Sequence, residues 1–293
     1  SEQSYDAGAR PDDSARILVA EDHQVNQQLF RTILEKLGHE VEVADNGRIA
    51  LEKVNGFNPH LIFLDVQMPE MGGYEAGQLL RDRGYNRPII AVTANAHSGE
   101  REKCLDYGMN DYMPKPFKPK DVRKLISTWL TGELLKSGDD RDWIGEDESN
   151  DAGYSNDAGS GGDGDGDLDV EAVDAVEARR VLPLFDFDEA VETFMGKRDV
   201  VRRLMGNFVT KLNQNRVELR DALSAGDPER VYSLAHSIKG GALSLGVERA
   251  GHCAAALERS AFEGDIESVK MLLPEFEGYA DELAEHWEEL IPR

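Results

Sequence analysis

The hydrophobic pattern changes its period twice along this chain. Between residues 16 and 130, short unbroken apolar runs alternate with longer stretches of helical spacing. Ile17-Leu18-Val19-Ala20, Glu40 to Ala44, Leu61-Ile62-Phe63-Leu64, Pro88 to Thr93 and the brief Asp111-Tyr112-Met113 read as strands. An apolar run without alternation marks a strand buried on both faces, as in a parallel sheet. The segments between them read as helices: Val25 to Leu37 with Gly38 at the C′ position, Gly47 to Val54, Tyr74 to Arg83, Glu100 to Tyr107, and Val122 to Leu130. This β-α alternation predicts an α/β fold, a doubly wound (βα)5 parallel sheet with right-handed crossovers.

After Lys136 the apolar residues thin out until about Arg180. The run Asp163-Gly164-Asp165-Gly166-Asp167 lies at the centre of this stretch. Such a composition predicts a disordered, self-repelling acidic linker. Asp163, Asp165 and Asp167 resemble the start of an EF-hand loop. However, Leu168 stands where that loop needs Gly and Asp174 where it needs Glu, which argues against calcium. Helical periodicity returns weakly from Val170 and fully from Leu184. Asp199 is expected to cap a long helix carrying Val200, Leu204, Phe208 and Leu212. Asp227-Pro228 is an N-cap and N1 pair for the next helix, which runs through Leu245 to Gly246. Glu248 to Glu263 and Ile266 to Glu289 follow, the last with an expected bend at Pro274. Amphipathic helices joined by short turns predict an all-α antiparallel bundle. The expected division is an arm over 1–14, an α/β domain over 15–132, the linker over 133–182 and the bundle over 183–293.

Composition narrows the function. The 293 residues are 40% hydrophobic and 31% charged, enough for two domains with real cores. A formal net charge of −24 argues against sequence-independent binding to nucleic acid or to anionic membranes. There is no apolar run of membrane-spanning length and no signal-peptide pattern, so no membrane contact by this chain is expected. Two distant cysteines, Cys104 and Cys253, fit a reducing cytosol. The chain begins at Ser1 and not Met, as a processed chain or an excerpt of a longer protein would.

The predicted strands bring Glu21, Asp22, Asp65, Thr93 and Lys115 to the C-terminal edge of one sheet, where open α/β folds place their chemistry. These groups suit an acyl-phosphate site. Asp65 can be the nucleophile. Asp22 and Glu21 can hold Mg2+, helped by Asp65 and the backbone carbonyl of Gln67. Lys115 can pair with the phosphoryl oxygens and Thr93 can donate to them. The stretches Ala20-Glu21-Asp22, Leu64-Asp65-Val66-Gln67-Met68-Pro69, Val92-Thr93-Ala94 and Lys115-Pro116-Phe117 resemble the response-regulator receiver domain in order and spacing. The resemblance covers Ala15 to about Thr131. It implies Asp65 as the phosphorylated residue, a cis Lys115-Pro116 bond and Tyr112 as an aromatic switch. Glu21 stands where receivers more commonly have Asp. Glu21-Asp22-His23-Gln24-Val25-Asn26-Gln27 is most similar to receivers fused to hybrid histidine kinases. His23 and His97 are expected on the surface.

In the bundle, Val231, Leu234, Ala235, Ile238, Ala242 and Leu245 fall on one helical stripe, and His236 falls nearly opposite, toward solvent. Lys239 lies one turn on, and Gly240 leaves the ring uncovered. Glycine inside a helix costs about 1 kcal/mol relative to alanine, so Gly240-Gly241 asks for a reason, and close approach by a partner is one. A neutral imidazole can attack a phosphoryl group while Lys239 offsets the added charge. The His-x-x-Lys-Gly segment with its following Leu-Gly resembles the histidine-phosphotransfer (HPt) motif, over roughly Phe185 to Pro292, and implies His236 as the phosphorylated residue. Tyr232 and Leu243 project on the His236 face and, with Gly240, are expected to dock a receiver. His252 and His286 read as ordinary helix residues.

Together these resemblances imply a phosphorelay. Asp65 takes a phosphoryl group from a histidine kinase core, in cis or in trans. His236 receives it and passes it to the receiver of a separate response regulator. Reverse flow through the same residues, and a docking module that never carries phosphate, are the alternatives. No motif for an ATP-binding kinase core is present, so the chain is expected to be a cytoplasmic part of a hybrid histidine kinase or a stand-alone relay protein.

Overall fold

The computed structural model describes residues 14–94, 99–130 and 178–291. The arm, the acidic stretch with its EF-hand-like aspartates, and His97 lie outside the described residues. In the N-terminal part β1 (Arg16–Ala20), β2 (Glu40–Ala44), β3 (Leu61–Asp65), β4 (Ile89–Thr93) and β5 (Asp111–Pro114) form one parallel sheet in the order β2-β1-β3-β4-β5. Helices α1 (Gln24–Lys36), α2 (Gly47–Phe57), α3 (Gly73–Asp82), α4 (Glu100–Asp106) and α5 (Pro119–Trp129) connect and flank the strands.

The continuous apolar runs are explained by burial on two sides. Alternate residues of each strand feed different clusters. Ile17, Val19, Phe63 and Val92 pack with Leu29 and Phe30 of α1 and Val122 of α5. Leu18, Ala20, Ile62, Leu64 and Ala91 pack with Leu51 of α2 and Ala76 and Leu80 of α3. Every residue of β3 is buried, so Asp65 is carried to the sheet edge on a fixed support. Gly38 takes φ +88° just past α1, the left-handed conformation that glycine adopts most cheaply.

The C-terminal part is helical: α6 (Phe187–Thr193), α7 (Arg198–Ala225), α8 (Pro228–Ser244), α9 (Glu248–Glu263) and α10 (Ile266–His286). The expected stripe of α8 is buried as a unit. Asp227 caps α8, its side chain accepting from the backbone N–H of Arg230, with Pro228 in the first turn. Asp199 does not cap α7. The helix starts two residues earlier, with Lys197 at the N-cap, and Asp199 sits in the first turn, where its charge favours the helix dipole. Helix α10 continues through Pro274. The bundle also reaches back into residues that composition assigns to the linker. Arg179 makes a two-pronged ion pair with Glu275 of α10 at 2.9 and 2.8 Å, and Leu182 O accepts from Arg249 at 2.7 Å.

The two parts are packed together. The cluster on the α1 and α5 face of the sheet runs without a break into the bundle core, where Phe208, Leu234 and Ile238 lie. Helix α1 lies against α8. No helix among the described residues is long and apolar enough to cross a membrane.

Candidate functional site

Four strand ends build the first group. Glu21 and Asp22 follow β1, Asp65 ends β3, Thr93 ends β4 and Lys115 follows β5. Lys115 Nζ lies 2.5 Å from Asp65 Oδ2 and 2.8 Å from Glu21 Oε2, with all three side chains at least 95% buried. Carboxylate oxygens of Glu21, Asp22 and Asp65 converge within 4.8 Å of one another. Three carboxylates face one ammonium, so negative charge is in excess. Burial raises the Asp65 carboxyl, Lys115 opposes this, and Glu21 and Asp22 raise it further. Burial, then Glu21, pushes Asp22 up to about 6. Burial disfavours the Lys115 ammonium, but Asp65 and Glu21 outweigh it and hold Lys115 charged.

The other expected members are near but engaged elsewhere. Thr93 Oγ1 donates to Glu100 Oε1 at 3.2 Å, and the same oxygen accepts from Tyr74 Oη. Tyr112 is half-buried against the apolar cluster beneath α3 and α4. The Lys115-Pro116 bond is cis. The backbone N–H of Gln67 donates to Asp65 Oδ1 at 3.1 Å.

The second group centres on His236 of α8. Its Nδ1 lies 2.6 Å from Glu258 Oε1, and the other oxygen of Glu258 takes Lys239 Nζ. A carboxylate at Nδ1 fixes the tautomer and leaves the lone pair on Nε2. Burial lowers His236 from the ordinary imidazole value, against the pull of Glu258. Burial raises Glu258, but its bond to His236 and the charge of Lys239 outweigh this and bring it below the ordinary carboxylate range. Both directions describe a neutral imidazole beside an ionised carboxylate. Glu258 is absent from the sequence-based expectations. Its signal was an acidic residue in line with Ala250, Ala254, Leu257 and Ala261 on the buried face of α9.

The solvent-facing position expected for His236 is corrected: the residue is 9% exposed. A single-helix projection gives the face but not what covers it. Here a cavity of about 250 Å3 is lined by Asp22, Gln67, Met68 and Pro69 from the α/β part and by Tyr232, Ser233 and His236 from the bundle. The two groups open onto this one space.

Residues 17–127 match the family model of the response regulator receiver domain, and residues 203–290 match that of the Hpt domain. The chain is a receiver domain joined to an Hpt domain. It is 26% identical over 237 residues to the sensor histidine kinase GacS of Pseudomonas protegens, covering 79% of this chain and 23% of that protein. It is 26% identical over 269 residues to the signal transduction histidine-protein kinase BarA of Escherichia coli, covering 91% of this chain and 26% of that protein. The chain therefore spans about a quarter of the length of these curated relatives. A solved receiver domain of a Pseudomonas aeruginosa sensor histidine kinase, with magnesium in its active-site cleft, is 37% identical, covers 40% of this chain and 98% of that one, and superposes with a TM-score of 0.38. Receiver domains generally depend on Mg2+, and the acidic group of Glu21, Asp22 and Asp65 suits such an ion.

Between receiver and Hpt domain the contacts are specific. Gln67 Nε2 of the receiver donates to Tyr232 Oη, whose ring stacks on His236 at 6.3 Å between centroids. Ser244 Oγ donates to Asn26 Oδ1 at 2.8 Å. Asn26 Nδ2 would lie 3.4 Å from a Cβ added at Gly240. Thus Tyr232 and Gly240 face the receiver. Leu243 does not: its side chain lies over Gly251 of α9, filling the space that glycine leaves between two helices. The surface position expected for His23 is also corrected, because its ring sits against Gly241 of α8.

Proposed function

We propose that this chain relays a phosphoryl group between Asp65 and His236 within one molecule. The observation that carries this reading is the single cavity onto which Asp22 and Gln67, beside Asp65, and His236 all open. Each step would move one phosphoryl group. A carboxylate oxygen of Asp65 attacks the phosphorus of a donor phosphohistidine, the donor N–P bond breaks, and an acyl phosphate forms. His236 Nε2 then attacks that phosphorus, the bond to Asp65 breaks, and its electron pair returns to the Asp65 carboxylate. Glu258 meets the positive charge that develops on the imidazole, and Lys239 is held beside it.

In this reading Glu21, Asp22, Asp65 and the backbone carbonyl of Gln67 hold Mg2+. Glu21 Oε2 is buried beside Lys115, and carboxylate oxygens of Glu21, Asp22 and Asp65 converge within 4.8 Å of one another, the hard oxygen set that such an ion takes. When bound, the ion supplies positive charge that offsets the phosphoryl oxygens. Lys115 pairs with those oxygens. Thr93 leaves Glu100 to donate to them, and Tyr112 follows as the aromatic switch. The likeness to GacS and BarA supports a histidine kinase core as the donor, in cis or in trans. The match to the Hpt domain supports the receiver of a separate response regulator as the final acceptor, and the same reading sets the chain in the cytoplasm.

Acetyl phosphate with Mg2+ tests the order of the two sites. The wild type should carry base-labile label on Asp65 and acid-labile label on His236. Asp65→Asn should carry neither, and His236→Gln should retain the acyl phosphate alone. Label appearing on His236 of Asp65→Asn at the wild-type rate would overturn the order.

A further inference from the structure

Helix α1 begins on the residues that touch the Hpt domain. His23 is the N-cap of α1, and its Nδ1 accepts from the Val25 N–H at 3.3 Å, so the helix start fixes the ring. The free edge of that ring enters a notch at Gly241. A Cβ added at Gly241 would lie 2.5 Å from His23 Nε2, nearer still to Cε1, and 3.1 Å from Phe208. At Gly240 the nearest atom would stand at 3.4 Å, an ordinary contact. The tight fit is therefore at Gly241, and the ring that fills it belongs to the receiver.

Asn26 sits one turn along the same face and is 1% exposed. Its amide oxygen takes the Ser244 hydroxyl, and its amide nitrogen donates to Glu21 Oε1 at 3.1 Å. A carboxylate only accepts, so this bond sets the orientation of the amide. The backbone N–H of His23 donates to the same Glu21 oxygen at 3.2 Å. The residues that meet the Hpt domain are thus the ones that hold a carboxylate of the acidic group.

We propose that His23 and Asn26 are the specificity-determining residues through which this Hpt domain selects its receiver. His23 reads the absence of a side chain at Gly241. Asn26 reads Ser244 and acts as a positioning residue, tying the docked state to Glu21. The inference rests on the relay reading for its chemistry but not for its docking geometry. A receiver with a bulkier side chain at position 23, or with no amide at position 26, is a poor partner for this face.

The test uses the full chain and the pair Gly241→Ala and His23→Ala. Alanine is the better helix former, so Gly241→Ala keeps α8 helical, which circular dichroism verifies, and Phe208, 3.1 Å from the added Cβ, has only a few tenths of an ångström to yield. After acetyl phosphate loading with Mg2+, Gly241→Ala should label Asp65 as the wild type does and deliver label to His236 at least tenfold more slowly. Adding His23→Ala to Gly241→Ala should bring the rate back to within about threefold of His23→Ala alone, because the ring that clashed is gone. Amide hydrogen exchange reads docking without any transfer. Residues at the start of α1 should lose protection in Gly241→Ala and regain it in the double variant. Wild-type transfer and protection in Gly241→Ala, or no recovery in the double variant, would overturn the proposal. If no label reaches His236 even in the wild type, the relay reading fails, and the exchange arm still decides the docking key.

Discussion

At the scale of single residues, the chemistry proposed for the Hpt domain turns on Glu258. One carboxylate accepts from His236 Nδ1 and holds Lys239. It thereby leaves Nε2 with the lone pair and places a counter-charge where imidazolium charge would grow. Glu258→Ala removes both effects. Transfer to His236 should fall about a hundredfold, the lower end of what a positioned acid–base partner supplies. Imidazole 15N shifts should move from one tautomer to a mixture of two. Glu258→Gln keeps an acceptor for Nδ1–H without the charge, so it should keep the tautomer and lose only part of the rate. A single-tautomer spectrum and unchanged transfer in Glu258→Ala would show that the carboxylate is merely structural.

At the scale of elements, helix α8 carries both the buried stripe and His236, so its register decides where the imidazole points. Its start is set by Asp227, whose side chain accepts from the Arg230 N–H at 2.9 Å, and by Pro228. Asp227→Ala should destabilise the Hpt domain by about 1 kcal/mol, the usual cost of losing an N-cap. Chemical denaturation followed by far-ultraviolet circular dichroism measures it, and no loss would mean that packing alone fixes the start. This cap was legible in the sequence, as was Gly264 ending α9, because each acts on its own helix. The start of α7 was not. Asp199 is as good a capping residue as Asp227, but the turn at Gly196, with φ +87°, leads into the helix earlier. Leu243 was placed on the docking face by projection along one helix. The decisive fact lay on another: Gly251 opens a slot on α9 that the leucine fills.

At the scale of the whole molecule, the two sites were legible separately and their relation was not. The receiver constellation shows in sequence because each member ends or follows a strand, and three of those strands, β1, β3 and β4, are apolar runs that can be counted. His236 shows because Lys239 and the glycines lie within two turns of it. The contacts that join the domains have no such local signature. Asn26 and Ser244 are 218 positions apart, and His23 meets Gly241 at a similar remove. The glycine pair did announce a close approach, though not by what, and the receiver of the same chain supplies it. Ion pairing contributes little to this contact. Lys118 and Glu189, 3.4 Å apart across the domains, are both well exposed, and such pairs are weak. What holds the face is shape at Gly241, hydrogen bonds at Tyr232 and Ser244, and the shared apolar cluster. With this face covered, the separate regulator proposed as final acceptor would have to displace the chain's own receiver to reach His236.

The order of the reaction tests most directly whether Asp65 and His236 exchange a phosphoryl group within one chain, as proposed. Chains loaded on Asp65 in a single turnover should deliver label to His236 with a rate constant that is unchanged over a hundredfold range of protein concentration. Mixing Asp65→Asn with His236→Gln should complement far more slowly than the intact chain transfers. A rate proportional to concentration, with full complementation in the mixture, would contradict the intramolecular relay.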